Sequence, residues 1–232
     1  MTPAVLKLRC VTVQRDPDQA PALSEVSLFV GRGERVALVG CNGSGKTTLL
    51  LAVVGLLEHQ GEIEVSGTPV RSRTLEEVRR KVGFLFNLPE DQLLFPRVID
   101  DVAFSLDRLG VPPPVGRKSA LDTLGKLGAS HLADRPVHHL SHGQKQLAAL
   151  AGALVGSPAL LLLDEPSSGL DPPGRRHLAD LLSRREEAML VATHDLDFAS
   201  RVCPRFVMLE QGRIIEGANS ATDVLERWGM DK

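Results

Sequence analysis

Four short stretches carry residues whose types and spacing could do chemistry. The first, Gly40 to Thr47, reads GCNGSGKT, matches the pattern GxxxxGK[ST] and follows the apolar run RVALV at 35–39. Glycines let successive backbone N–H groups turn inward around an anion without Cβ clashes, and a helix starting there adds positive potential at the same point. A nucleoside triphosphate is the ligand such a loop suits. Gly40, Asn42, Gly43 and Gly45 shape the cradle, and Lys46 is expected to bridge the β- and γ-phosphates. Ser44 and Thr48 are expected to bond phosphate oxygens, and Thr47 to offer its hydroxyl to Mg²⁺.

The second stretch, ALLLLDEP at 159–166, puts Asp164 and Glu165 at the end of a buried strand, the edge where open α/β sheets bind ligands. Asp164 suits Mg²⁺ held through water, while Glu165 faces another way and can polarise the water that attacks the γ-phosphate. The third, VATHD at 191–195, ends another apolar run with His194, whose imidazole could sense the γ-phosphate and stabilise charge developing there. The fourth, LSHGQ at 140–144, sets Ser141 beside His142. That pair reads either as a nucleophile with its base or as a helix start whose hydroxyl and free amides attract an anion. Adjacent side chains at a helix start diverge and nothing nearby supplies an orienting acid, so the anion reading is preferred.

These stretches need strands and helices to hold them. Residues 5–13 and 23–30 read as antiparallel strands, 35–40 as a buried strand, and Gly45 to about Leu57 as a helix. Short strands follow at 61–67 and 82–86. The segment from about Pro89 changes composition, with helical patterns at 98–109 and 116–127 separated by VPPPVG, as in an inserted helical subdomain. A helix from Ser141 to about Val155, strands at 159–165 and 188–193, a helix after Pro172 and a terminal hairpin around Gln211-Gly212 complete the pattern. Strands separated by helices predict a mainly parallel α/β sheet. The expected organisation is one domain over 1–232, with a core at 1–88 and 157–232 and a helical part at about 89–156.

Bulk properties limit the partners. The 232 residues are 43% apolar and carry a formal charge of −2, which gives no basic footprint for nucleic acid. The N-terminal stretch lacks the apolar core of a secretion signal and no run reaches the roughly 18 apolar residues that span a bilayer, so a soluble intracellular chain is expected. Three scattered cysteines, Cys10, Cys41 and Cys203, with no CxxC, fit a reducing compartment.

The phosphate loop, LSHGQ, LLLLDEP about twenty residues later, SSGLD at 167–171 and THD at 193–195, in this order, resemble the nucleotide-binding subunit of an ABC transporter over nearly the whole chain. The resemblance implies an ABC-type P-loop fold that binds and hydrolyses ATP with Mg²⁺. It implies that Ser141, Gly143 and Gln144 form the signature closing over ATP held by a second subunit, and that Asp171 crosses that dimer interface. A homodimer is expected because both halves of the composite site are in one chain, with a heterodimer as the alternative.

FNLPEDQLLFPRVIDDVAF at 86–104 is further similar to a stretch of energy-coupling-factor ATPases, which drive uptake of vitamins or of nickel and cobalt. That implies a peripheral subunit on the cytoplasmic face of the membrane. Its membrane partners, a coupling subunit and a substrate-binding one, would be met near Glu90, Asp91 and Gln92. Adjacent acids there suit basic side chains on a partner helix. The resemblance points to cobalt or nickel as cargo, with a vitamin system, a conventional ABC transporter or a soluble nucleic-acid-associated ABC protein as alternatives.

Four positions depart from the pattern or raise a separate question. Asn87 stands where the family has a glutamine that helps hold Mg²⁺ and the attacking water, one methylene shorter, which predicts slow turnover. Arg15 falls near the family's adenine-stacking aromatic and either stacks by its guanidinium or is solvated. His142 occupies a glycine position of the signature. Cys41, inside the phosphate loop, reads as a small filler or a thiol in the site.

Overall fold

The computed structural model describes residues 4–229. Two sheets form. The first is antiparallel, with β1 (Ala4–Val13), β2 (Leu23–Gly31), β4 (Gln60–Val65) and the two-residue β5 (Thr68–Pro69) in the order β2-β1-β4-β5. The second holds β3 (Arg35–Val39), β6 (Val82–Leu85), β7 (Leu160–Asp164), β8 (Ala188–Thr193), β9 (Arg205–Glu210) and β10 (Arg213–Ile215) in the order β10-β9-β3-β8-β7-β6. Every pairing in it is parallel except the β9–β10 hairpin.

The apolar runs of β3, β7 and β8 make sense because both faces of the parallel sheet are covered. Alternate side chains point to opposite faces. Val36, Leu38, Leu160, Leu162 and Leu190 enter a core shared with β1, β2 and α1 (Lys46–Val53). Ala37, Val39, Leu161, Leu163 and Val191 enter the other, shared with α3 (Val98–Asp107), α4 (Pro113–Lys126), α5 (His142–Leu154) and α6 (Pro172–Ser183). The helical part around 98–155 therefore has no core of its own; it is packed onto the sheet.

Element ends follow local chemistry. Helix α1 stops at Val53, four residues short of the expected Leu57, because Gly55 adopts φ 65°, the left-handed conformation that terminates a helix. Helix α4 starts three residues earlier than expected, since prolines at its first two positions have the right φ and need no N–H partner there. Three seven-residue helices, α2 (Leu75–Lys81), α7 (Leu196–Val202) and α8 (Ala221–Arg227), lie where the sequence pattern indicated no element. Each is too short to show a full apolar stripe, and tertiary contact decides it.

The register aligns the strand ends that matter. Val39 pairs with Thr193, Ala192 with Asp164, and Leu163 with Leu85. The C-terminal ends of β3, β8, β7 and β6 thus lie side by side, and Gly40, His194, Glu165 and Phe86 leave the sheet along one edge.

Candidate nucleotide site

The phosphate loop is tightly built. A Cβ on Gly40 would lie 2.2 Å from the Leu209 carbonyl oxygen and 2.6 Å from Ser44 Oγ, so only glycine fits. Gly45, the N-cap of α1 at φ 108°, has Ala22 O and Leu23 Cδ2 at 2.8 Å from any added Cβ. The tip of the β9–β10 hairpin braces the loop from outside, Gly212 N donating to Ser44 O at 2.9 Å. Asn42 and Gly43 are exposed and Thr48 is buried. Lys46, only 6% exposed, donates from Nζ to Gly40 O (2.7 Å) and Cys41 O (3.2 Å) and lies 3.4 Å from Glu165 Oε1. The ammonium is thus held at the mouth of the loop by acceptors that a phosphate oxygen can replace. Ser44 Oγ is buried without a hydrogen-bond partner among the described residues, as expected of a donor reserved for an anion.

Next to it, Thr47 Oγ1 donates to Asp164 Oδ2 at 2.8 Å. Asp164 is buried, and its Oδ1 has no partner among the described residues. Burial pushes its carboxyl above the usual range, the charge of Glu165 adds to this, and the Thr47 bond and Lys46 oppose it. An orphaned, desolvated carboxylate oxygen beside a hydroxyl is a donor set that suits a hard divalent cation, so these residues fit Mg²⁺. Asn87 follows β6 on the same edge and is exposed.

Glu165 turns away from Asp164 because its backbone takes φ 45°, a strained left-handed conformation for a residue with a side chain. Its Oε2 accepts from Thr193 Oγ1 at 2.9 Å and from His194 N at 3.3 Å, and lies 3.0 Å from His194 Nδ1. A carboxylate oxygen only accepts, so Nδ1 is the protonated nitrogen in this arrangement and Nε2 remains for a ligand. Sequence reading picked both residues but missed that they touch. The pairing follows from β7 and β8 being neighbours, which one sequence does not display.

The signature turn is elsewhere on the surface. Ser141 caps α5, its Oγ accepting from Gln144 N (3.3 Å) while Gln144 Oε1 accepts from Ser141 N (3.0 Å). Gly143 packs against Leu170, and Asp171 is exposed and caps α6 by accepting from Gly174 N at 2.8 Å. Among the described residues no hydrogen bond or ion pair joins 141–144 to 40–48. Arg15 lies exposed in the loop between β1 and β2, whose end packs on Gly45.

Comparison with known proteins decides the family. The family model described as ABC transporter matches residues 23–168, more than half of the chain and both the phosphate loop and the signature. This chain belongs to the ABC transporter family. It is an ATPase cassette with that family's P-loop fold.

Relatives at 45% and 46% identity, covering 91% and 85% of this cassette, carry only general names as ATP-binding proteins of ABC transporters. One relative is named energy-coupling factor transporter ATP-binding protein EcfA2, from Methanospirillum hungatei. It is 38% identical over 205 residues, which are 86% of this cassette and 52% of that protein. Among solved structures, cbiO1 from Clostridium perfringens, described as part of the ABC transporter complex cbiONQ, aligns with TM-score 0.84 and 31% identity over 98% of this cassette and 92% of that chain. The cassette MJ0796, solved as a dimer in a post-hydrolysis state bound to ADP and Pi, aligns with TM-score 0.80 and 27% identity over 90% and 96%.

The cysteines give a direct check of the loop's exposure. Burial pushes the Cys203 thiol up to about 12, whereas Cys10 and Cys41 are exposed. Alkylation of the native cassette near pH 7.5 should label Cys10 and Cys41 but not Cys203, and ATP with Mg²⁺ should protect Cys41 alone. Peptide mass spectrometry reads the outcome; labelling of Cys41 unchanged by ATP would show that its thiol faces away from the nucleotide.

Proposed function

We propose that this cassette is the ATPase subunit of an energy-coupling-factor type importer, working as a dimer of nucleotide-binding subunits against integral membrane partners. The observation that carries the reading is how the 86–104 segment is built. Gln92 turns inward, its Oε1 accepting from Phe86 N at 3.3 Å and its Nε2 donating to Ala149 O at 3.1 Å. Asp101, which is buried, accepts from Leu94 N and Phe95 N, each at 2.8 Å. Two side chains of the family-like segment therefore pin the loop, which presents Leu88 and Leu94 outward among the exposed polar groups Asn87, Glu90, Asp91 and Arg97. Leu88 and Leu94 are 54% and 73% exposed, and Phe84, Phe86 and Phe104 line a groove together with Glu76, Arg79, Arg80 and Arg108. Such a surface suits an amphipathic partner helix, its apolar side on the leucines and phenylalanines.

The expected acidic character needs revision. Glu90, though exposed, is ion-paired with Lys145 at 2.9 Å and Gln92 is committed internally, which leaves Asp91 as the exposed acid without an ion pair among the described residues. Leu88 and Leu94 supply the apolar contact in this reading, with Asp91 the charge that a basic partner side chain would meet.

Within the site, the phosphate loop and Lys46 would bind the β- and γ-phosphates, Ser44 and Thr48 would bond phosphate oxygens, and Thr47, Asp164 and Asn87 would hold Mg²⁺. That ion, when bound, neutralises charge on the transferring phosphoryl group. Glu165 takes the proton of the attacking water, oriented by Thr193 and His194, and His194 Nε2 faces the γ-phosphate. Ser141, Gly143, Gln144 and Asp171 would complete the site of a second subunit, most simply another copy of this chain. Because Asn87 is one methylene short, Asn87→Gln should raise kcat about threefold, the worth of replacing a water-bridged contact by a direct one. Steady-state ATPase assays check this, and an unchanged or lower rate would contradict it.

Isolation from detergent-solubilised membranes tests the assignment. Recovery with a separate transmembrane coupling protein and a small substrate-binding membrane protein supports it, and the latter identifies the cargo, with cobalt or nickel favoured by the resemblance. Recovery with a conventional permease, or with ribosomes or DNA, would replace it.

A further inference from the structure

His142 stands in the signature turn where a glycine is usual in the resembling family, and it does more than occupy space. Its Nε2 lies 3.0 Å from Ser168 O, and since a carbonyl oxygen only accepts, Nε2 carries the proton and donates. The ring lies flush on Gly169, at φ 69°, where an added Cβ would come within 2.8 Å of Nε2. One turn further along α5, Gln146 Nε2 donates to Pro166 O at 2.9 Å in a buried position. Residues i and i+4 of a helix share a face, so α5 grips residues 166–169 at two points, with Gly143 against Leu170 between them. On its other side, His142 Nδ1 is 4.0 Å from Glu90 Oε1, which Lys145 of the same helix turn holds at 2.9 Å.

We infer that His142 is a positioning residue: a strut that fastens the signature turn to the loop between Glu165 and Asp171, on a helix turn that Lys145 ties to the 86–95 loop through Glu90. The inference rests on the composite-site reading above. In a dimer, Glu165 serves the ATP on its own phosphate loop, while Ser141 and Asp171 serve the ATP of the other subunit. A strut between them makes one rigid body out of groups belonging to two different sites. Movement of the 86–95 loop on a membrane partner then reaches both sites through the Glu90–Lys145 ion pair and the turn of α5 that carries His142.

The strut acts on closure, not on the capture of ATP by the phosphate loop. The test is ATP-driven dimerisation of a Glu165→Gln background, followed by sedimentation, alongside the ATP dissociation constant. Adding His142→Gly should weaken dimerisation about tenfold, the worth of one positioning hydrogen bond lost within each of the two subunits, with ATP affinity of the single chain unchanged. His142→Gln, whose amide N–H can reach the same carbonyl, should restore most of the loss. Equal dimerisation of His142→Gly and its parent would overturn the strut, as would a His142→Gln variant no better than glycine. If the Glu165→Gln parent itself stays monomeric with ATP, the composite-site reading falls and the strut falls with it.

Discussion

Glu165→Gln is expected to lower the ATPase kcat by roughly a thousandfold, within the 10²–10⁴ range of a lost general base, while ATP binding persists. The amide oxygen can still accept from Thr193 Oγ1 and His194 N, so the strained turn at φ 45° keeps its supports. What disappears is the acceptor for the water's proton. Single-turnover hydrolysis measured beside equilibrium ATP binding separates the two effects, and retention of a tenth or more of the rate would remove Glu165 from the role of base.

Lys46→Ala should instead act on binding. The ammonium is already desolvated at 6% exposure and is held by the carbonyls of Gly40 and Cys41, so it reaches phosphate without a large ordering cost. Losing charge-assisted bonds to two phosphates should raise the ATP dissociation constant roughly a hundredfold. Glu165 Oε1 also loses its counter-charge at 3.4 Å. Calorimetric titration with ATP checks the affinity and circular dichroism checks the fold; a change under threefold in a folded variant would contradict the account.

Much of this was readable from the sequence. The parallel sheet, the phosphate loop after β3, the Asp164-Glu165 pair at the end of β7 and the polar end of β8 follow from apolar runs ending in glycine or polar residues, because a strand buried on both faces can expose chemistry only at its ends. What stayed hidden depends on which strands are neighbours. The contact of Glu165 with His194 requires the order β3-β8-β7, and the grip of His142 on Ser168 requires α5 to lie against the loop after β7. Glu90 was legible as an acid but not as a paired one, since Lys145 is 55 residues away in sequence. Helices α2, α7 and α8 are seven residues each and leave too little periodicity to recognise.

The central claim is that a working ATP site is shared between two chains, with the phosphate loop from one and the signature from the other. Subunit mixing tests it most directly. Lys46→Ala removes the phosphate-loop half; Ser141→Asp keeps a good helix cap but sets a carboxylate against the γ-phosphate. At an ATP concentration well below the raised dissociation constant of Lys46→Ala, each variant alone should be inactive. Mixed in equal amounts, half of the randomly paired dimers hold one intact site of two, so hydrolysis should recover to about a quarter of the wild-type rate. A mixture as inactive as its parts, or a Ser141→Asp variant with full activity by itself, would contradict the shared site.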